Sequence, residues 1–543
     1  MTRCVFRRVG ARLAASWSSS LAALLLCVSA TVVLPAAEAA PAAPVRIASA
    51  FDPQTMDPHA LALLYHSRIA YQVYDALVSR DAAFKLEPAL ALSWQQIEPT
   101  RWRFKLRPGV LFHEGQTLSA DDVVFSIERA LGKTSQRAFQ LKGVTAAKAV
   151  DPLTVDLLLD APDAVLPEKL QYISIMSRAW SDEHGVQLAQ DYNGKQETYA
   201  VRHANGTGAF KLARYEPDVR TVLARHDRWW GRADARSGNA DEVQFIVVKS
   251  DATRLAALAS GEVDVVLDPP FQDIERLRAE PRLKLSSVTE LGQQYFTFDQ
   301  ARPELEFSDV KGRNPFKDRR VRQAVWHALN IELIIDKVLR GQAEPAAAFL
   351  SPRVDGADPA LGRRLTYDPA RAKALLAEAG YPNGFGVTLD CVNVSWRQNV
   401  CQAAVSMLAQ VGIRTTLRVA PPSQFFPKLS QGAASFIEYG WTASPDAWGS
   451  LNGLFRTFDP SGLGTFNAGR YSNPKLDAVI DAIRVEPDLA KRRAQVGTAL
   501  KMIAEDLPYV PLYRRKLNWA MAKDITLVQW PNDTLELRWV TRK

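Results

Sequence analysis

The sequence predicts an α/β protein of at least two lobes, and three observations carry that expectation. The chain has 543 residues, more than one hydrophobic core accommodates. The segments 241–249, 264–268, 387–392 and 413–419 read as strands and alternate with helical patterns at 254–259 and 398–410. That is the rhythm of βαβ units in an open α/β sheet. Residues 101–131 pass from a strand through two turns into a capped helix.

Hydrophobic content of 47% and charged content of 23% are ordinary for a globular protein. The formal charge is +8, and residues 1–39 hold Arg3, Arg7, Arg8 and Arg12 against Glu38, so the remainder carries +5. Spread over about five hundred residues, that surplus does not suggest nucleic acid, and none is expected as a partner. The same N-terminal residues read as a signal peptide. Four arginines precede an apolar stretch containing Leu24, Leu25 and Leu26, and Ala37-Glu38-Ala39 has the small-x-small form of a cleavage site. Cleavage is expected after Ala39, giving a soluble product exported to the periplasm. No later stretch approaches the apolar length of a membrane span. Cleavage leaves two cysteines, Cys391 and Cys401, and in an oxidising compartment this pair is expected to be bridged.

Residues 45–50 read as the first strand, Met56-Asp57-Pro58 as a turn, and 66–77 as a helix on Ile69, Val73, Tyr74 and Leu77. In 101–107, Trp102, Phe104 and Leu106 alternate with Arg101, Arg103, Lys105 and Arg107, so the cations occupy an exposed strand face. Gly109 and Gly115 mark turns, and Ser119 with Asp122 forms a capping box with Asp in place of Glu. Gly206 and Gly208 precede a strand rather than a phosphate loop, because no Gly-Lys-Ser/Thr follows. Asn330 caps a helix. Asp368, Pro369, Gly380 and Pro382 punctuate another completely. Residues 438–448 read as an aromatic, acidic loop, and loops on a rigid scaffold are where ligand contacts concentrate.

Catalytic chemistry leaves no mark. Gly-x-Ser-x-Gly, His-Glu-x-x-His and Cys-x-x-Cys are absent, and the seven histidines are scattered. His59 and His66 are read as ordinary surface or core groups, and His113-Glu114 lacks a second histidine for zinc. No enzyme activity, metal or cofactor is expected.

The residues Trp102, Phe104, Leu106, Arg107, Gly109, Val110, Phe112, His113 and Gly115, followed by Leu118, Ala120, Asp122, Val123, Phe125 and Ser126, resemble the signature of the dipeptide/oligopeptide-binding family of ABC-transporter solute-binding proteins. The turn at Asp57, the Gly206–Leu212 segment, Trp229-Trp230-Gly231, the helices within 321–341 and 368–382, the Trp441 loop and the segment from Pro508 to Tyr513 resemble further family pieces in the same order. The resemblance implies a class II periplasmic-binding-protein fold, with two lobes joined by a hinge and an inserted third domain. It places lobe I at 40–83, 206–290 and 511–543, the inserted domain at 84–205 and lobe II at 291–510. It implies capture of a peptide or peptide-sized solute between the lobes and delivery to ABC permease subunits in the inner membrane, by a protein expected to be a monomer. A ligand sensor would read the same way. Trp441 is expected to pack on the ligand, with Tyr295 and Trp396 as wall residues. Peptide-binding relatives commonly carry Asp three residues after that Trp to hold the peptide's ammonium. Here the position is Ser444, which cannot neutralise an ammonium. Asp446 is the candidate substitute, with turn stabilisation as its other reading, and Glu438 reads as a strand-face charge or a ligand contact.

Overall fold

The computed structural model describes residues 43–543 apart from 235, 362–363, 444–445 and 461–462. The expected signal peptide and Ser444 therefore lie outside the described residues.

Tyr509–Ala522, fourteen residues long, is the strand on which the main sheet is built. Its first half pairs antiparallel with Gln293–Phe298 and Ala343–Pro345, and its second half with Leu283–Thr289 and Val265–Leu267. Beyond Gln293–Phe298 come Phe436–Trp441, Phe385–Val392 and Ile413–Ala420. Beyond Val265–Leu267 come Val45–Ser49, Glu242–Val247, Arg220–Arg225 and Phe210–Glu216. Each wing has a parallel centre. Val45–Ser49 runs parallel to Glu242–Val247 and Val265–Leu267, and Phe385–Val392 runs parallel to Ile413–Ala420 and Phe436–Trp441. Val265–Leu267, in the interior of its wing, is buried at every position, as a parallel strand covered on both faces should be, whereas Ile413–Ala420, at the edge of the other wing, is buried only at Ile413.

A separate antiparallel sheet orders Ala91–Glu98, Arg101–Leu106, Thr154–Leu159 and Val144–Asp151. Here the sequence alternates because only one face is covered. Phe104 and Leu106 are buried with Phe112, Val123 and Ile127, the last two from the Ala120–Leu131 helix. Asp122 accepts from the backbone N–H of Ser119 at 2.8 Å and from its hydroxyl at 3.1 Å, the reach-back half of the capping box. Met176, Trp180, Val186 and Ala200 leave this core and pack with Val45, Ile47 and Trp519 under the main sheet.

Two expectations are corrected. The helix predicted at 66–77 is Leu64–Val73. It stops because the Val73 carbonyl accepts from Gly208 N–H at 2.9 Å, and a Cβ at Gly206 would lie 2.0 Å from that carbonyl oxygen. The loop predicted from 438 begins only after Trp441, because Phe436–Trp441 is a strand. Its apolar lead-in and its polar residues belong to one element with two covered faces. Among the described residues, no helix is long and apolar enough to cross a membrane.

Candidate functional site

Alternation along Phe436–Trp441 divides the residues singled out in the sequence. Tyr439 and Trp441 point to one face of the sheet, and Glu438 to the other. On the first face Tyr295, fully buried, stacks on Tyr509 with ring centroids 4.9 Å apart and meets Phe349 at 5.6 Å and Tyr439 at 5.7 Å. Trp441 donates its indole N–H to Ser450 Oγ at 2.9 Å and packs on Phe466 at 5.2 Å. Asp446 follows as the N-cap of Ala447–Leu454, with Oδ1 accepting from Trp448 N–H at 2.7 Å. Burial pushes its carboxyl up to about 6, with Arg492 acting in the opposite direction.

On the second face Glu438 is fully buried and held by Arg397, whose Nε lies 2.8 and 3.1 Å from the two carboxylate oxygens. Burial raises this carboxyl, opposed by Arg397. Cys391 and Cys401 are joined as a disulfide linking the Phe385–Val392 strand to the Ser395–Gln410 helix. The two sulfurs and Glu438 lie close enough together to suggest a metal site. Bonded to each other, however, the sulfurs offer no thiolate, and Arg397 occupies the carboxylate.

The start of that helix faces the other wing. Trp396 lies 6.3 Å from Phe271, ring to ring, and Phe271 follows the carboxyl end of Val265–Leu267. The carboxyl ends of the parallel strands in the two wings thus confront one another, which is where open α/β sheets hold ligands. The strand that crosses between the wings supplies the floor. Arg515 sits 5.2 Å above the Trp396 ring, and Tyr513 lies 6.5 Å from it. Glu290 holds Arg515, with Oε2 at 2.7 Å from Nη2. Next to this floor Arg68 serves two carboxylates, Asp268 at 2.8 Å and Asp533 at 2.9 Å.

The cations of the Arg101–Leu106 strand are occupied elsewhere. Arg103 holds Asp156 at 2.7 and 2.8 Å, and Lys105 donates to Thr154 Oγ1 at 2.8 Å. Arg107 stacks 4.2 Å over Trp230. His59 and His66 bind no common partner atom. Their Nε2 atoms meet the carbonyls of Ser174 at 2.9 Å and Asp57 at 3.0 Å.

The family model for bacterial extracellular solute-binding proteins, family 5 middle, matches residues 85–462. The chain belongs to this family, the substrate-binding components of ABC importers. The solute-binding protein is 27% identical over 522 residues to the glutathione-binding protein GsiB of Pectobacterium atrosepticum, covering 94% of this chain and 95% of that one. It is 27% identical over 476 residues to heme-binding protein A of Haemophilus influenzae, covering 81% of each. HbpA2 from Haemophilus parasuis superposes with a TM-score of 0.78 at 24% identity, over 92% of this chain and 100% of that one. DppA from Helicobacter pylori, solved with the peptide STSA, gives 0.74 at 23%, over 92% and 98%. These likenesses identify the fold as that of the two-lobed periplasmic binding proteins.

Of the predicted residues, Trp396 lies where the two wings of the solute-binding protein meet. Arg68, Asp268, Phe271, Glu290 and Arg515 were missed by reading the sequence. Asp268 had a legible signal, an acid ending an apolar strand directly before Pro269 and Pro270. For Arg68 and Arg515 nothing local distinguishes them from other cations.

Proposed function

We propose that this protein captures a peptide or peptide-sized solute in the cleft floored by Trp396, Tyr513 and Arg515 and passes it to ABC permease subunits in the inner membrane. Residues 40–83, 206–290 and 511–543 form lobe I in this reading, 291–510 lobe II, and 84–205 an inserted domain. The protein acts as a monomer, after cleavage near Ala39, without cofactor or catalysis. The observation that carries the reading is the confrontation of Phe271 with Trp396 across the crossing strand, in a chain whose family binds solutes. Ligand stabilises the closed arrangement by contacts it makes only there. Relatives named for glutathione, for heme and for a peptide share this scaffold, so the ligand is set by side chains in the walls rather than by the fold. Trp441, Tyr295, Asp446 and Glu438, and Ser444 outside the described residues, are kept in this reading as further candidate ligand contacts. A non-peptide solute is the second reading, favoured by Ser444 standing where peptide binders carry an acid.

Native mass spectrometry of the exported protein tests the proposal, together with solute uptake by a deletion strain. A retained small molecule and lost uptake are expected, and Trp396→Ala should weaken binding at least tenfold. A protein that carries no solute and whose deletion leaves uptake intact would overturn it.

A further inference from the structure

Val321, Ala324 and Val325 of the Arg319–His327 helix are fully buried in the core. Arg319, Gln323 and Trp326, spaced four and then three residues apart, share a neighbouring side of the same helix. That side borders a cavity of about 130 Å³, which is also lined by Phe349, Leu365, Leu500 and Ile503. None of Trp396, Phe271, Tyr513 and Arg515 lines it, so it is separate from the cleft. Apart from the three helix side chains, the wall's polar side chain is Tyr509, whose hydroxyl already donates to the Leu454 carbonyl. No acid is among the described residues that line this space.

Donors without acceptors gather at this side of the cavity. Trp326 is 6% exposed, and its indole N–H is buried with no hydrogen-bond partner among the described residues. A buried donor of this kind is costly to leave unmade. The Arg364 guanidinium stands 5.3 Å from the centre of the Trp326 ring. Its Nη1 donates to the carbonyls of Ala346 and Pro511, while its Nη2 is buried without a partner. Carbonyls do not neutralise a charge, and burial lowers this guanidinium to about 10, opposed by Glu332. Arg319 adds a second cation, because the acid beside it, Asp318, is held by Arg320 at 2.6 Å. Two guanidinium groups and an orphaned indole N–H thus stand beside an apolar space.

We infer that this cavity is a second binding site, taking a small apolar monocarboxylate that accepts from the Trp326 indole N–H and is neutralised by Arg319. A carboxylate only accepts hydrogen bonds, and its two oxygens match a guanidinium. The size of the space sets the rest of the molecule. An apolar cavity of about 150 Å³ holds benzene, so the body is one ring or a short branched chain, far smaller than a peptide. The site goes beyond the solute-binding reading and does not depend on it. Pro511 lines the cavity and belongs to Tyr509–Ala522, so the occupant lies against the strand that floors the cleft without entering the cleft.

The test uses the full mature protein and calorimetry with benzoate and 4-methylpentanoate, against benzylamine and benzyl alcohol as controls. Both acids should bind, and both controls should bind more weakly by about tenfold or more. Ala504 is an exposed residue of the cavity wall, and Ala504→Phe should abolish benzoate binding with an unchanged melting temperature. Arg319→Gln should weaken benzoate by about tenfold and remove the preference for the acid over the alcohol. Trp326→Phe keeps the ring and deletes the N–H, and it should weaken benzoate as well. Ala504 and Arg319 are exposed, so those two variants decide the matter even if Trp326→Phe folds poorly. Trp396→Ala should leave benzoate affinity unchanged, and a loss there would place benzoate in the cleft and overturn the inference. No binding of either acid at millimolar concentration, equal binding of acids and alcohol, or an unchanged Kd in Ala504→Phe also overturns it. None of these failures touches the solute-binding reading, which is judged on the retained solute and on uptake.

Discussion

Arg129 grips both carboxylate oxygens of Asp57, at 2.8 and 2.7 Å, and neither side chain is exposed. Asp57 comes from the first turn of the chain and Arg129 from the helix that follows the signature strand, so two motifs far apart in sequence complete one buried pair. Gln190 N–H donates to the same carboxylate at 2.9 Å, and Arg129 also donates to the carbonyls of Val186 and Leu188 at 3.0 Å. The motif spells a joint between segments, and its chemistry is structural.

Removing one partner leaves the other charge buried and unpaired. Arg129→Met should cost about 3–5 kcal/mol, read as a shift in the urea midpoint. Arg103→Met on the small sheet should cost well under half as much, because the Arg103 side chain is 33% exposed, although its partner Asp156 is only 6% exposed. Equal losses would mean that burial is not what makes the first pair matter.

Three histidines make stability depend on acidity. His59, His66 and His113 are buried, and burial lowers each to about 3. The folded state keeps them neutral while the unfolded chain protonates them near pH 6.5, so the unfolded state binds more protons between the two values. Stability is therefore complete above pH 6.5 and is lost as pH falls toward 3. Each histidine contributes a slope of about 1.4 kcal/mol per pH unit in that window. His66 has Arg137 and Asp57 around it, and His66→Gln should remove one histidine's share of the slope between pH 6 and 4. Urea denaturation across that range measures it, and an unchanged slope would contradict the assignment.

Gly208 admits no side chain. A Cβ there would lie 2.4 Å from the Gln72 carbonyl oxygen, a backbone atom that cannot swing away. Gly208→Ala should destabilise by about 1–3 kcal/mol or more, whereas Gly497→Ala, with open space around it, should be neutral or stabilising. Melting temperatures of the two variants provide the comparison.

The disulfide closes a loop with a sequence separation of 10, worth about 2.5–3 kcal/mol in chain entropy. Thiol labelling of the denatured, unreduced protein should find no free cysteine. The double variant Cys391→Ser/Cys401→Ser should unfold at correspondingly lower urea. It should also loosen ligand binding, because Trp396 lies within the closed loop. Stoichiometric labelling would show that the bond is not formed.

Elements whose evidence is local could be read directly. The Arg101–Leu106 strand follows from alternation, because one face is covered and one is wet. The Pro369–Glu378 helix follows from Asp368 and Pro369, and Asp368 does accept from Arg371 N–H at 2.9 Å. Even the disulfide needed only two cysteines and a compartment. What reading residue by residue could not supply is which side chains share a space. Tyr295, Trp396, Glu438 and Trp441 are all aromatic or acidic, and their neighbours in sequence do not say that the sheet separates Glu438 from Trp441. Nor does the sequence show that Asp268, Arg68 and Asp533 converge from three segments, because one guanidinium shared by two carboxylates exists only after the long crossing strand has brought both wings together. Local propensity and periodicity therefore determined the elements, and the ordered motifs carried the resemblance to the family. The convergence of Arg68 with Asp268 and Asp533 was decided by long-range packing, where distance in space sets the interaction and distance along the chain does not.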